Sequence, residues 1–420
     1  MRTLFLLCLA IFSGTLPCQA VDYHVNGATG QDTSTCGPLT QPCKTVKRAV
    51  DNAGTITPVT VKIATGTYSE YIELYDYAFS PDLTLQGGWN QDFTHQQCDP
   101  GLTVLEQPDN ESYLLYSHSD KTRSYTLRLS CLTLREDMPT TGEDDLLFFY
   151  YGGQAKLTFT MKNCLLDGYQ GAGVRTWTAG NASLNASIAD TIFRNGHTVG
   201  QLNNGAGVGI ISSDNSVQTL TMKNCLLNNN SASHGGGIDF HPQVNGRLTA
   251  YLINITVTNN QATENGGGIY AVSRGDATLT VNLTNVIIHG NSVNGAGNDI
   301  YLRKYHNSST TINTRYSIIG EVVNHGATWN DNGHNLEVDP HLNSSYHLRS
   351  DSPAIDAGIC GKWLYGWKYT RLAPYFDIDG DPRPPFPALT GCDIGADEYV
   401  RDSLCFPVKA KNGTTAIICL

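Results

Sequence analysis

A phrase that returns about every 31 residues limits this chain more than any other feature. MKNCLLDG at 161–168 comes back as MKNCLLNNN at 222–230. Looser copies read RLSCLTLRE at 128–136, IADTIFRNG at 188–196, LINITVTNN at 252–260 and LTNVIIHGN at 283–291. Aligned, they put Cys131, Cys164, Thr191, Cys225, Ile255, Val286 and Ser317 in one column, with steps of 33, 27, 34, 30, 31 and 31 residues. A unit of this size cannot bury its apolar side alone, so successive copies must stack into a solenoid.

The periodicity inside each copy decides what is stacked. Thr, Val, Ile and Leu alternate and are broken by Gly and Asn clusters, with no sustained 3.6-residue stripe. Leucine-rich repeats would need a leucine spacing that is absent. The expectation is an all-β chain: a single-stranded right-handed parallel β-helix whose coils sit about 4.8 Å apart. Two further columns agree. Asn163, Asp190, Asn224, Asn254 and Asn285 fall one residue before the cysteine column, where stacked amides can hold a turn. Glycine runs precede Ile238, Ile269 and Ile300, which are 31 residues apart at each step, and glycine admits the tight turns a side chain would block.

The columns also constrain the cysteines. Cys164 and Cys225 stand two coils apart with Thr191 between them, about 9–10 Å, which is beyond disulfide reach. Both are expected to be free, buried thiols. Local partners serve the others: Cys36 with Cys43, Cys360 with Cys392, and Cys405 with Cys419. Cys98 with Cys131 is a looser pairing that the spacing leaves open.

The chain has 420 residues and twelve cysteines. Arg2, an apolar run at 4–12 and the small residue Ala20 read as an export signal over 1–20, too short to span a bilayer. No later stretch is apolar enough for a membrane helix. Export and the cysteine count both point to an oxidising compartment, and the absence of paired CxxC units argues against structural zinc. Charged residues are only 15% and the net charge is −11 with no basic block, which argues against nucleic acid and against an anionic membrane surface.

The opening, YHVNGATGQDTSTCGPLTQPCKTVKRAVDNA from Tyr23 and then VKIATGTYSEYIEL from Val61, resembles exported bacterial right-handed β-helix proteins of the pectin-lyase-like superfamily. The resemblance implies a cap over 21–60, in which a strand and a short helix at 44–53 close the first coil, followed by β-helix over 61–345. The stretches GHNLEVDPHL, YHLRSDSPAIDAG, DIDGDPRP and CDIGADEY are similar to the ending called choice-of-anchor Q. That implies a segment of this type over 346–402 and a cysteine-bracketed tail over 403–420. The scaffold carries lyases, hydrolases, epimerases and adhesins, so the resemblance speaks for architecture and not for activity.

Function must therefore be read from side chains. Phasing the strand after each glycine run sends Ile238, Phe240, Ile269, Ala271, Ile300 and Leu302 inward. Asp239, His241, Tyr270, Val272, Tyr301 and Arg303 then face outward, joined by Arg175 and Trp177 from one coil and by Ile211 and Ser213 from the next. Such a strip suits a polysaccharide: aromatic faces stack on sugars and arginines pair with uronate carboxylates. Ordinary exposed residues on a β-face are the plainer alternative. A glycosidase needs two carboxylates across the scissile bond, and this strip offers only Asp239. A lyase would use His241 or Arg303 as base, without the acid cluster that holds calcium. Asp377-Ile378-Asp379-Gly380-Asp381 invites a calcium reading but lacks the closing acid of an EF-hand, so a tight Asp-Gly turn is expected. His325, His334, His341 and His347 show no metal-ligand spacing. The sequence thus favours a monomeric, secreted or cell-surface protein that binds a glycan without catalysis and without a cofactor, over a lyase acting on an acidic polysaccharide or a purely structural surface component.

Overall fold

The computed structural model describes residues 20–76, 79–136, 145–198, 205–364, 368–385 and 387–400, together with the backbone of 405–409 and 415–419. Apart from Ala20, the stretch read as an export signal lies outside these residues.

The chain is a parallel β-solenoid with a period of about 31 residues. A 14-stranded sheet runs from Val21–Val25 through the long strands Lys156–Tyr169, Ser183–Gly196, Val217–Asn228, Arg247–Thr258 and Thr278–Ile288. A second, nine-stranded sheet is built from the short strands Ile72–Tyr75, Tyr113–Ser119, Asp145–Tyr151, Val174–Thr178, Val208–Ser212, Ile238–Pro242, Ile269–Ser273, Ile300–Lys304 and Val322–His325. Ser231–His234, Gln261–Asn265 and Ser292–Val293 form a third, narrow sheet.

The corners explain the asparagines. Asn163, Asp190, Asn224, Asn254 and Asn285 all have φ of 50–56°, the left-handed region that Asn and Asp tolerate best after glycine. Each bends a long strand, so one strand serves two sides of a coil. Asn224 Nδ2 donates to Asp190 Oδ1 at 2.8 Å and Asn285 Nδ2 to Asn254 Oδ1 at 3.1 Å. One part of the column alignment is corrected here. Leu132, not Cys131, stands opposite Cys164, and Cys131, with φ of 58°, belongs to the corner column. Matching cysteine to cysteine placed that coil one residue out of phase.

A second corner follows at Gly168, Asn195, Asn229, Asn259 and Gly290, again with positive φ. Behind it runs a buried amide ladder that the sequence reading did not resolve. Asn230 Nδ2 donates to Asn260 Oδ1 at 2.9 Å, Asn260 Nδ2 to Asn291 Oδ1 at 3.0 Å, and Asn291 Nδ2 to Asp299 Oδ1 at 2.8 Å. The glycine runs sit just beyond it. A Cβ on Gly236 would lie 2.4 Å from the Gln261 carbonyl oxygen and 2.5 Å from that of Gly267, so backbone closeness alone fixes glycine there.

The helix Val46–Ala53 buries Val46, Ala49, Val50 and Ala53 against the end of the solenoid, and Thr45 caps it by accepting from Arg48 N. Glu70 Oε1 also accepts from Val46 N at 2.7 Å. At the other end, residues after the last coil fold back along the long sheet. Asn254 Nδ2 donates to the carbonyls of Asp393 and Gly395, both at 3.1 Å, and Arg383 is ion-paired with Glu398 at 2.5 Å in a buried position. Cys36–Cys43, Cys98–Cys131 and Cys360–Cys392 are disulfides, while Cys164 and Cys225 are free and buried. Cys405 and Cys419 are directly opposite in an antiparallel pair, but their side chains lie outside the described residues. No helix among the described residues is long and apolar enough to cross a membrane.

Candidate functional site

The outer side of the nine-stranded sheet presents two columns of side chains. The first is continuous from coil to coil because the strands are parallel and in register; the second is interrupted between His241 and Val272, where that pairing ends at Phe240 and Ala271. The first runs Glu73, Tyr116, Phe148, Arg175, Gly209, Asp239, Tyr270, Tyr301 and Val323. The second contains Tyr75, His118, Tyr150, Trp177, Ile211 and His241, and continues past Val272 to Arg303 and His325. The inward set Ile238, Phe240, Ile269, Ala271, Ile300 and Leu302 is buried in the core as phased. All the strip residues read from the sequence do fall on this side except Ser213. That residue lies beyond its strand, is buried, and donates from Oγ to the Thr178 carbonyl at 3.1 Å.

Facing outward is not the same as being open. Asp239 is 1% exposed, Tyr270 3% and Tyr301 5%, and Val272 is also buried, so the expected flat exposed strip is corrected along its central column. Arg175 is buried too, its Nε donating to Asp145 Oδ2 at 2.7 Å. Trp177 is 38% exposed, while His241 and Arg303 are half-buried. Alternation gives the side of a strand but not what lies above it; here rings of adjacent coils stack over one another, Tyr270 on Tyr301 at 5.4 Å and His234 on Tyr270 at 4.5 Å.

Burial sets the charge states. It pushes the Asp239 carboxyl up to about 8, against the opposing pull of Arg175 and Arg274. Burial, with the positive charge of Arg274, pushes the His241 imidazole down to about 4. His234 is lowered and Tyr270 raised, again chiefly by burial. Asp239 Oδ2 and His241 Nδ1 are 4.0 Å apart, and at neutral pH both groups are uncharged. Asp239 Oδ1 is buried without a hydrogen-bond partner among the described residues.

The sequence reading missed the aromatic half of this face. Tyr113, Tyr116 and Phe148 stack at 5.1–5.5 Å, His118 stacks on Tyr150 at 5.3 Å, and Tyr150 meets Trp177 edge-on at 6.1 Å. Tyr75, which is exposed, touches both Tyr116 and His118. The signal was present in LLYSHS and LLFFYY, whose alternation matches that of the later strands. It went unused because the phasing started from glycine runs, and no such run precedes either stretch.

Comparison with known proteins adds little to this geometry. No protein-family model matches the chain. No curated protein matches it. Among solved structures it is similar to ORF18 of Geobacillus virus E2, at 12% identity and a TM-score of 0.30, over 86% of this chain and 78% of that one.

A second group of side chains gathers on the C-terminal segment. His347 Nε2 lies 3.5 Å from Asp379 Oδ2, and its Nδ1 lies 3.9 Å from Asp397 Oδ1. The three offer ligand atoms close enough together to share a cation. Asp377, which opens the run read as a turn, is taken up by backbone. Its Oδ1 accepts from Asp379 N and Asp381 N at 2.9 and 2.7 Å, and its Oδ2 from Glu398 N at 2.9 Å. The Asp-Gly turn therefore forms, and the histidine comes to it from thirty residues away in sequence, which spacing rules do not detect.

Proposed function

We propose that this chain is a secreted or cell-surface β-helix protein of the pectin-lyase-like kind that binds a glycan, without catalysis, along the outer side of the nine-stranded sheet. The observation that carries the reading is the aligned row Tyr75, His118, Tyr150 and Trp177, which places one ring per coil on a single open face. Repeated rings at the spacing of a parallel sheet suit an extended polymer better than a compact ligand. Sugar CH faces stack on such rings, and the rigid scaffold loses little freedom when they bind. Three disulfides fit an oxidising compartment. The ending resembling choice-of-anchor Q would then serve as the segment that joins the solenoid to a sorting tail.

The runner-up is a lyase acting on an acidic polysaccharide, with His241 or Arg303 as base and Asp239 nearby. Its support is the closeness of the buried, protonated Asp239 to the half-buried, neutral His241. Basicity weighs against it. An imidazole pushed down to about 4 is a weak proton acceptor, and Tyr270, pushed up, keeps its proton at neutral pH.

Affinity electrophoresis through gels containing neutral and acidic polysaccharides separates these readings. We expect retardation of the wild type by at least one polymer, weakened about tenfold in Trp177→Ala and Tyr150→Ala, with no absorbance from unsaturated uronate ends. If no polymer retards the wild type, or Trp177→Ala is retarded equally, the binding reading falls. New absorbance abolished in His241→Ala would establish the lyase.

A further inference from the structure

The aromatic face ends, toward the last coils, in a pair of arginines. The Arg303 guanidinium lies 4.2 Å from the centre of the Tyr305 ring and that of Arg274 lies 4.7 Å from the same centre. Tyr305 is half-buried and Arg274 is exposed. Neither arginine meets a carboxylate within ion-pair distance among the described residues. Six other arginines among the described residues are paired with carboxylates: Arg128 with Asp82, Arg135 with Glu106, Arg175 with Asp145, Arg194 with Asp167, Arg349 with Asp351 and Arg383 with Glu398. Arg315 and Arg371 are held by hydroxyl and carbonyl oxygens. In a chain of net charge −11, acids are plentiful. What sets Arg274 and Arg303 apart is that two guanidiniums share one ring with no carboxylate at ion-pair distance among the described residues.

The surroundings keep that charge available. The buried acid Asp239, which feels the charge of Arg274, is protonated at neutral pH, and one of its oxygens has no hydrogen-bond partner among the described residues. His241 and His234 are neutral there, so they add neither repulsion nor competition. Tyr305 holds both guanidiniums by cation–π contact. Arg303 Nη1 also donates to Tyr301 Oη at 3.4 Å and Arg274 hydrogen-bonds Tyr270, and each five-donor fork keeps further N–H groups for a ligand. Guanidinium presents a planar donor fork that matches carboxylate and sulfate oxygens two at a time. Trp177, Ile211 and His241 are aligned on the outward side of the sheet, and Arg303 stands on the same side beyond the buried Val272, so a polymer following the rings reaches the arginines without leaving the sheet.

We propose that Arg274 and Arg303, gathered on Tyr305, form an anion subsite that continues the aromatic face, so that the glycan taken by this protein is an acidic polysaccharide whose carboxylate or sulfate groups pair with these guanidiniums. The subsite rests on the glycan-binding reading for its polymer, but its own chemistry can be tested with short probes.

Calorimetric titration with tri-galacturonate, a sulfated galactose trimer and the uncharged galactose trimer provides the test. It uses the wild type, Arg274→Gln/Arg303→Gln, Arg303→Lys and Trp177→Ala, each checked for an unchanged melting temperature. We expect the wild type to prefer a charged trimer over the uncharged one by at least tenfold. The double Gln variant should lose that preference, and Arg303→Lys should recover only part of it because ammonium cannot form the fork. Whichever charged trimer binds more tightly identifies carboxylate or sulfate. If the wild type binds charged and uncharged trimers alike, or the double variant keeps the preference, the subsite is overturned while the aromatic platform stands. If the arginine variants lose binding but Trp177→Ala does not, the subsite stands and the platform falls. If no trimer binds, the subsite is overturned.

Discussion

Asn260 Nδ2 donates to Asn291 Oδ1 at 3.0 Å across two adjacent coils, and both side chains are buried. Each amide in this ladder also holds backbone, since Asn260 Oδ1 accepts from Asn230 N and Asn291 Oδ1 from Asn260 N, both at 3.0 Å. Removing one rung strands polar groups on both neighbours in a site closed to water. Asn260→Ala is expected to lower unfolding free energy by about 2–3 kcal/mol. On the outer side, Asn313 bonds Asn282 and Asn330 at similar distances but in partly open positions. Asn313→Ala should cost about 0.5–1 kcal/mol, because water replaces what is lost. Equal shifts in the urea midpoint for the two variants would refute the distinction.

The corner at Gly168 makes a sharper comparison. Its φ is 62° and a Cβ there would meet nothing within 4 Å, so Gly168→Ala is strained only by backbone conformation, about 1 kcal/mol. Asn occupies the equivalent corner at 195, 229 and 259, and Gly168→Asn should be close to neutral. Gly236→Ala collides with two carbonyl oxygens and should cost more than about 3 kcal/mol or prevent folding. Thermal melts rank the three, and Gly236→Ala melting with Gly168→Asn would contradict the packing described.

Asp239 and His241 give stability opposite pH dependences. Asp239 is pushed up to about 8, so the stabilisation from keeping it protonated is complete below its unfolded value near 4 and is lost as pH rises through 8. His241 is pushed down to about 4, so the stability of its neutral form is present above about 6.5 and lost as pH falls toward 4. Asp239→Asn keeps the shape and removes the first effect. Its melting temperature should fall less than that of the wild type between pH 5 and pH 9. Parallel curves would mean that the carboxyl is already ionised in the folded protein.

Cys164 and Cys225 should be inert while the fold persists. Burial pushes the Cys164 thiol up to about 12 and raises Cys225 as well, and the reactive species is the thiolate. At pH 8, iodoacetamide should leave both peptides unmodified in the native protein and alkylate both in guanidinium, as read by peptide mass. Native labelling of either one would show that its coil opens.

The repeat was legible because stacking imposes the same demands on every coil. Identical corners select Asn or Gly, and identical inward positions select aliphatic residues, so period, core face, free thiols and two disulfides could be read from spacing alone. What failed was local. Cys131 was placed one residue out of phase because residue identity, not corner geometry, guided the alignment, and no glycine run precedes the first aromatic strands to phase them. The exposure of the outward column lay beyond sequence altogether. Alternation states which side of a strand Asp239, Tyr270 and Tyr301 occupy, but their burial arises from rings and side chains of other coils stacked above them. Only the folded chain could bring Arg274 and Arg303 to one ring, or His347 to Asp379. Those meetings depend on how coils pile and where the C-terminal segment lies, and distance along the chain carries no trace of either.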